Sequence, residues 1–394
     1  MESIYSEWNP ALSGSIDGNQ VHYILMKPAS GNCNMDCRYC FYRDEAGKRS
    51  VASFGMMSGE TLENTIRKLL HQGKGKYTIA FQGGEPTLRG IEFFRKAIGF
   101  AEEYNVNGSE VSFALQTNGY LIDEEWCRLF RENHFLIGVS VDGVKATHDR
   151  FRVGQDGSGT YDRVRKSVDL MKEYGVEYNV LTVVNRATAE NIREIYKEYR
   201  RNGWDYQQYI TCLDPLGTEP GSLSYSLTPK AYGRFLIDLF GQWYKNWRQG
   251  KAPYIRQFEN YVGILLGVSP ESCEQRGICS VQCVIEADGS VYPCDFYALD
   301  QYRLGNINSD RLTDLVSSLI GADFVKGSLR VSSRCRKCPY AALCRDGCRR
   351  SRIREEDEDG YYNYFCEGYR MFFDACGERL KEVAAETAAE RRIQ

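Results

Sequence analysis

Ten of the fifteen cysteines fall between Cys273 and Cys376, in a stretch with little of the apolar periodicity that builds a hydrophobic core. Something else has to fold such a segment, and bound metal is the obvious candidate. Three more cysteines stand together as Cys33-x3-Cys37-x2-Cys40, and only Cys127 and Cys212 are isolated. Small secreted domains use cysteine at this density for disulfides. This chain, however, has 394 residues, and Met1–Gln20 lacks a basic start followed by an apolar run. In a reducing compartment, clustered cysteines bind metal or do redox chemistry. The expected location is cytoplasmic, and no apolar run approaches the roughly 20 residues of a membrane-spanning helix. Fifty Lys and Arg against 53 Asp and Glu leave a net charge of −3, so neither nucleic acid nor a membrane is expected as a partner.

The first half reads as strands alternating with helices. Strands are expected at Val21–Met26, Tyr77–Phe81, Val111–Leu115, Phe135–Val141, Tyr178–Val184 and Tyr206–Cys212. Helices are expected at Ser58–His71, Ile91–Tyr104, Asp123–Arg131, Tyr161–Tyr174 and Ala189–Arg201. Six such units imply an α/β fold with a parallel sheet, closed as a partial (β/α)6 TIM-like barrel whose chemistry lies at the C-terminal strand ends. Leu213–Leu227 reads as an irregular loop, and Lys230–Gln249 and Arg256–Leu266 as helices whose aromatics suit a core better than a substrate groove, which some of them could still line. An Asp288-Gly289 turn predicts one hairpin between Cys283–Ala287 and Ser290–Pro293. A last helix is expected from about Tyr369 to Arg391.

Three thiolates can hold three irons of a cubane 4Fe–4S cluster and leave the fourth iron without a protein ligand. The competing ion is zinc, but structural zinc takes four ligands, and neither a His nor a fourth Cys lies near Cys33, Cys37 and Cys40. Phe81-Gln82-Gly83-Gly84-Glu85-Pro86, Gln116-Thr117-Asn118-Gly119 and Ser140-Val141-Asp142-Gly143 each follow a strand and offer polar groups where a cofactor would lie. In these motifs, in this order, the sequence resembles the radical S-adenosylmethionine superfamily. The resemblance implies that the open iron chelates S-adenosylmethionine and that the Gly-Gly-Glu loop receives its amino group.

Farther along, Cys273-x5-Cys279-x14-Cys294 is followed by Cys335-x2-Cys338-x5-Cys344-x3-Cys348 and by Cys366. Here the chain resembles the SPASM subgroup, which carries two auxiliary 4Fe–4S clusters, for three clusters in all. The resemblance assigns Cys273, Cys279, Cys294 and Cys348 to the first auxiliary cluster. It assigns Cys335, Cys338, Cys344 and Cys366 to the second. A pair of zinc ribbons is the bland alternative, for which Cys335-x2-Cys338 would serve. Cys127, Cys212 and Cys376 read as small buried hydrophobes, and Cys283 as an alternating strand position outside the ligand set. The basic run Arg345–Arg354 surrounds Cys348 and leads into the acidic run Glu355–Asp359. That pattern suits a solvated face or the surroundings of a cluster better than RNA.

Tyr292-Pro293-Cys294-Asp295-Phe296-Tyr297, Cys212-Leu213-Asp214-Pro215-Leu216 and Gly347-Cys348-Arg349-Arg350 carry a narrower likeness. Together with the Cys33–Tyr42 and Phe81–Thr87 segments, they look like anaerobic sulfatase-maturating enzymes, over about Leu25 to Phe373. The resemblance implies oxidation of a Cys or Ser in a sulfatase peptide, of Cys/Ser-x-Pro-x-Arg type, to Cα-formylglycine. A 5′-deoxyadenosyl radical would take hydrogen from Cβ, Asp295 would take the proton, and an auxiliary cluster would take the electron. It also carries over Tyr39, Gly84, Ser140, Arg152 and Leu213 as S-adenosylmethionine contacts, with Arg150 a possible confusion for Arg152. Flavodoxin or ferredoxin would be the electron donor. The expected organisation is an N-terminal extension at 1–20, the partial barrel at 21–228 and a helical linker at 229–272. The cluster domain, of low regular structure, would follow at 273–368 and a helix at 369–394. The rivals are another peptide-modifying member of the subgroup, such as a thioether-forming maturase, and a zinc-stabilised binding module. About twenty residues before the first strand leave little room for the peptide-recognition domain that thioether-forming maturases usually carry.

Overall fold

The structure is a computed structural model that describes residues 16–17, 20–356 and 360–393. Most of the expected N-terminal extension and the end of the acidic run at Asp359 therefore lie outside the described residues. Through Thr211 the main elements, in chain order, begin with β1 (Tyr23–Met26), α1 (Phe41–Ala46), α2 (Gly59–Leu70), β2 (Lys76–Phe81) and α3 (Ile91–Tyr104). They continue with β3 (Glu110–Thr117), α4 (Glu124–Glu132), β4 (Leu136–Ser140), α5 (Lys145–Phe151), α6 (Tyr161–Glu173) and β5 (Glu177–Val184). Then come α7 (Arg186–Glu190), α8 (Ile192–Asn202) and β6 (Tyr206–Thr211). After Thr211 stand α9 (Pro229–Trp247), α10 (Arg256–Leu265), β7 (Val284–Ile285), β8 (Ser290–Tyr292), β9 (Gly305–Asn306) and α11 (Cys366–Ile393).

Local chemistry explains the helix ends. Ser58 caps α2 by accepting from Thr61 N at 3.0 Å, and Leu62, Ile66, Leu69 and Leu70 form its buried face. Asp123 caps α4 by accepting from Glu125 N and Trp126 N. The helix expected over Ala189–Arg201 is two helices. Asn191 turns its side chain onto Ala187 O at 2.8 Å and leaves helical geometry, ending α7 and opening α8. The last helix begins at Cys366, three residues earlier than its periodicity suggests.

By its contacts the chain falls into two units. The first comprises Met1–Ser140, Arg152–Tyr178 and Ser280–Lys326. Its strands run β9-β8-β7-β1-β2-β3-β4, with β1 through β4 parallel and β7 parallel to β1. The expected hairpin is present as β7 and β8, antiparallel, and β9 adds a third strand. A two-residue strand has no periodicity to read, so its docking beside β1 could not be foreseen. Leu25, Ala80, Val284, Tyr292 and Ala298 pack together where the hairpin meets the parallel strands.

The second unit comprises Val141–Phe151, Asn179–Cys279 and Gly327–Gln394. Within it, Val180–Val184 pairs in parallel with β6, and β6 pairs in parallel with Tyr254–Ile255. The aromatics of α9 and α10 are core, as their spacing suggests: Phe240 packs edge-on against Phe258 at 5.2 Å and Phe372 of α11 at 5.7 Å. Among the described residues, no helix is long and apolar enough to cross a membrane.

Candidate active site

The first cysteine loop leaves β1 and returns through α1. Cys33, Cys37 and Cys40 are half-buried and outside any disulfide, and Asn118, at the end of β3, sends its amide to Cys33 Sγ at 3.6 Å and Asn34 Oδ1 at 2.7 Å. Met35 N also donates to Cys33 Sγ, at 3.4 Å. N–H donors of this kind surround the sulfurs of thiolate-held clusters and tune them. Burial pushes the Cys33 thiol up to about 11 and the Cys40 thiol upward as well, so these sulfurs are neutral unless a metal centre supplies the compensating charge. Three thiols with backbone and amide donors aimed at sulfur suit a three-thiolate cluster.

The glycine motif after β2 is packed onto that loop. Gly84 has φ of +53°, and a Cβ there would lie 2.2 Å from Asn32 O and 2.9 Å from Ser30 O, so only glycine fits. Glu85 N then donates to Asn32 O at 2.8 Å. The Glu85 carboxylate is fully buried and turned inward. It accepts from Thr87 N and Oγ1, from Thr117 Oγ1 at 2.8 Å and from Asn118 N at 2.7 Å, tying the ends of β2 and β3 together. Arg152 is 7% exposed and sits over the Tyr39 ring at 5.5 Å, close enough to Cys40 to act on its charge. Arg150, by contrast, is exposed at the end of α5. Ser140 ends β4 and receives Gln116 Nε2 at 3.2 Å. Tyr39, Gly84, Ser140, Arg152 and the three thiols all belong to the first unit, with Gly84 packed on the cysteine loop and Arg152 over Tyr39.

Asp295, in the turn after β8, is 6% exposed. Its Oδ2 accepts from the Tyr42 hydroxyl at 2.5 Å and from Gln82 Nε2 at 2.8 Å, while its Oδ1 is buried without a hydrogen-bond partner. Burial holds this carboxyl above the usual range, against the pull of Lys27. Lys27, 1% exposed, pairs with Glu286 at 2.8 Å, and Arg49 pairs with the same carboxylate at 2.5 Å. Tyr42 and Gln82 stand inside the quoted motifs, but nothing in the sequence assigned them to Asp295. Lys27 carries a single sequence signal, a lysine at the end of an apolar strand.

Leu213 lies in the second unit, at the head of the loop that Asp214 organises by accepting from Gly221 N at 2.7 Å and from Ser226. Arg350 donates to Asp214 O at 2.7 Å, so the loop is tied to the segment bearing Cys348. Thiols in this unit act on one another's charge in two groups. Cys348 is pushed up by burial and by its neighbours Cys273 and Cys279. Cys344 is pushed up to about 12 by burial, with the charges of Cys366 and Cys338 adding and the Asp346 N–H opposing, and burial likewise raises Cys335 beside Asp346, Cys344 and Cys366. The buried ion pair of Arg352 and Asp346, at 2.9 Å, lies among these loops, and Arg352 also donates to Gly277 O and Gly347 O. Cys294 lies in the first unit, one residue before Asp295. Among the described residues, no three His, Cys, Asp or Glu side chains are arranged to hold a single metal ion. Cys127, Cys212, Cys283 and Cys376 are buried and outside any disulfide. Cys283 precedes β7 with φ of +51° rather than alternating within a strand.

The Radical SAM superfamily model matches residues 28–199, and the SPASM iron–sulfur cluster-binding domain model matches residues 273–339. These define a radical S-adenosylmethionine protein with a C-terminal iron–sulfur domain. The Cysteine-type anaerobic sulfatase-maturating enzyme of Clostridium novyi (strain NT) is 42% identical over 93% of this chain and 98% of its own. The Serine-type enzyme of Bacteroides thetaiotaomicron is 30% identical over 89% of this chain and 88% of its own. The solved structure of native anSMEcpe with bound AdoMet and Cp18Cys peptide matches with a TM-score of 0.87 at 42% identity, over 92% of this chain and 99% of that one. The chain belongs to the anaerobic sulfatase-maturating enzymes.

Proposed function

We propose that this enzyme oxidises a cysteine in a sulfatase peptide, within a Cys-x-Pro-x-Arg-type motif, to Cα-formylglycine. Cysteine is favoured over serine because the Cysteine-type relatives are 41–42% identical to the chain and the Serine-type relatives 30–32%. Cys33, Cys37 and Cys40 would hold the S-adenosylmethionine-binding cluster, with Tyr39, Gly84, Ser140, Arg152 and Leu213 around the bound methionine and adenosine. Cys273, Cys279, Cys294 and Cys348 would hold one auxiliary cluster, and Cys335, Cys338, Cys344 and Cys366 the other. When bound, these groups supply the radical that takes a hydrogen atom from the substrate Cβ and an acceptor for the second electron.

The chain's own part is proton removal, and one observation carries it. Asp295 keeps Oδ1 buried and unpartnered while Tyr42 and Gln82 hold Oδ2. An unpartnered buried lone pair is the place for the substrate S–H proton. As the thiol proton passes to Oδ1 and the electron leaves, a C=S bond forms. Water then replaces sulfur, giving the aldehyde and sulfide. Cys294 next to Asp295 puts the proton acceptor and an electron-acceptor ligand on one turn. A flavodoxin or ferredoxin in the cytoplasm would supply the reducing electron.

The test is anaerobic incubation of reduced, reconstituted enzyme with S-adenosylmethionine and a Cys-x-Pro-x-Arg peptide. Formation of both 5′-deoxyadenosine and the formylglycine peptide is expected. Absence of the aldehyde product rejects the assignment. A colourless, zinc-loaded protein in place of roughly twelve irons per chain would reject the three-cluster reading.

A further inference from the structure

We infer that Lys27 is a positioning residue for Asp295, and that Gly83 is glycine to make room for Lys27 rather than to approach a ligand. The inference rests on the reading of Asp295 as proton acceptor. Lys27 follows β1 directly and is buried along its whole length. A buried ammonium has to be paired, and Glu286 does this at 2.8 Å. Glu286 also takes Arg49, so one carboxylate faces two cations. The Lys27 ammonium lies 4.8 Å from the centre of the Tyr42 ring, where the negative face of the ring attracts it. The hydroxyl of that same ring holds Asp295 Oδ2.

The lysine stem is held from the other side. A Cβ on Gly83 would lie 2.6 Å from Lys27 Cε, 2.7 Å from Cγ and 3.1 Å from Cβ, and Gly83 has φ of +100°. The stem cannot swing away, because Glu286 pins its tip. The paired glycines therefore have separate tasks. Gly84 lets the loop close on the Ser30–Asn32 backbone, and Gly83 leaves a slot for the lysine. Lys27 then braces Tyr42, Tyr42 fixes Oδ2, and Oδ1 stays aimed where a thiol proton can reach it.

The test compares Lys27→Met, Lys27→Arg and Gly83→Ala in the full, reconstituted chain, with Asp295→Asn as control. Iron content, S-adenosylmethionine affinity by equilibrium binding, and the ratio of 5′-deoxyadenosine to formylglycine peptide are measured. Lys27→Met is expected to bind S-adenosylmethionine within about twofold of the parent yet lose about tenfold in product per 5′-deoxyadenosine. A substrate that keeps its thiol proton cannot release its second electron. Lys27→Arg should recover much of the coupling. Gly83→Ala should uncouple likewise without losing S-adenosylmethionine affinity. Loss of affinity in Gly83→Ala with normal coupling in Lys27→Met would overturn the inference. So would equal loss of iron in both lysine variants, which marks a purely structural role. If Asp295→Asn makes product normally, the reading of Asp295 has failed. If Asp295→Asn is inactive and Lys27→Met is fully coupled, only the inference has failed.

Discussion

Tyr42 donates its hydroxyl hydrogen to Asp295 Oδ2 at 2.5 Å, so a residue just past the first cysteine loop grips the carboxylate that follows Cys294. Tyr42→Phe keeps the ring under Lys27 and removes only the hydroxyl. It is expected to lower formylglycine production about tenfold while leaving iron content unchanged, a loss the size of one charge-assisted hydrogen bond. Product quantified by mass spectrometry against bound iron checks this.

Asp295→Asn has nearly the same shape but no carboxylate. Product formation should fall by about 10²–10⁴, the usual worth of a positioned base. Iron and S-adenosylmethionine binding should stay at parent levels. Parent-like turnover in single-turnover assays would remove Asp295 from the reaction.

Asn118→Ala deletes an amide that reaches Cys33 Sγ at 3.6 Å. A donor to cluster sulfur stabilises the more negative, reduced state, so the variant should titrate at a lower reduction potential. An EPR-monitored titration of protein carrying only the first cluster reads the shift.

Between Gly327 and Cys366 the buried apolar side chains among the described residues are Val331 and Phe365. Such a segment cannot hold itself together by burial. Removing iron with a chelator should expose it to limited proteolysis there first, before cuts appear in α2 or α3. Simultaneous digestion throughout would contradict this.

Burial, with Glu271 adding to it, pushes the Glu259 carboxyl up to about 7. The group stays neutral in the fold while the unfolded chain ionises above its ordinary value of 4.5. Stability is therefore lost as pH rises through that window. Glu259→Gln should be about 1–3 kcal/mol more stable than the parent by urea unfolding at pH 8, with the difference closing toward pH 4.5.

Much of this was legible in the residues, for physical reasons. Period-3.6 and period-2 patterns placed the six strands and the flanking helices. Ile91–Tyr104 agrees residue for residue, its buried Phe93, Phe94, Ala97 and Ala101 keeping the helical period. Asn191 hid its break, since a side chain bonding back to Ala187 leaves the hydrophobic period intact across the gap. The cysteine spacings marked the thiols, but spacing carries no information about which side chains reach a carboxylate 253 residues away, as Tyr42 does. Glu85 likewise reads as part of a ligand loop and is in fact a fully satisfied internal tie. Lys27 carried the least signal, because a lysine after an apolar strand is ordinarily solvated.

Cys348 sits beside Cys273 and Cys279, while Cys344, four residues earlier, sits with Cys338 and Cys366. The two sets are therefore laced through one another along the chain. With the proposed ligand sets, Cys335, Cys338 and Cys344 emerge before Cys348 during synthesis, so a nascent chain would offer a wrong fourth thiol to either set. Faithful assembly of such sets would depend on the order in which metal arrives and peptide folds. An expression host that loads iron too early, or too slowly, would be expected to yield miswired chains of the right sequence and the wrong colour.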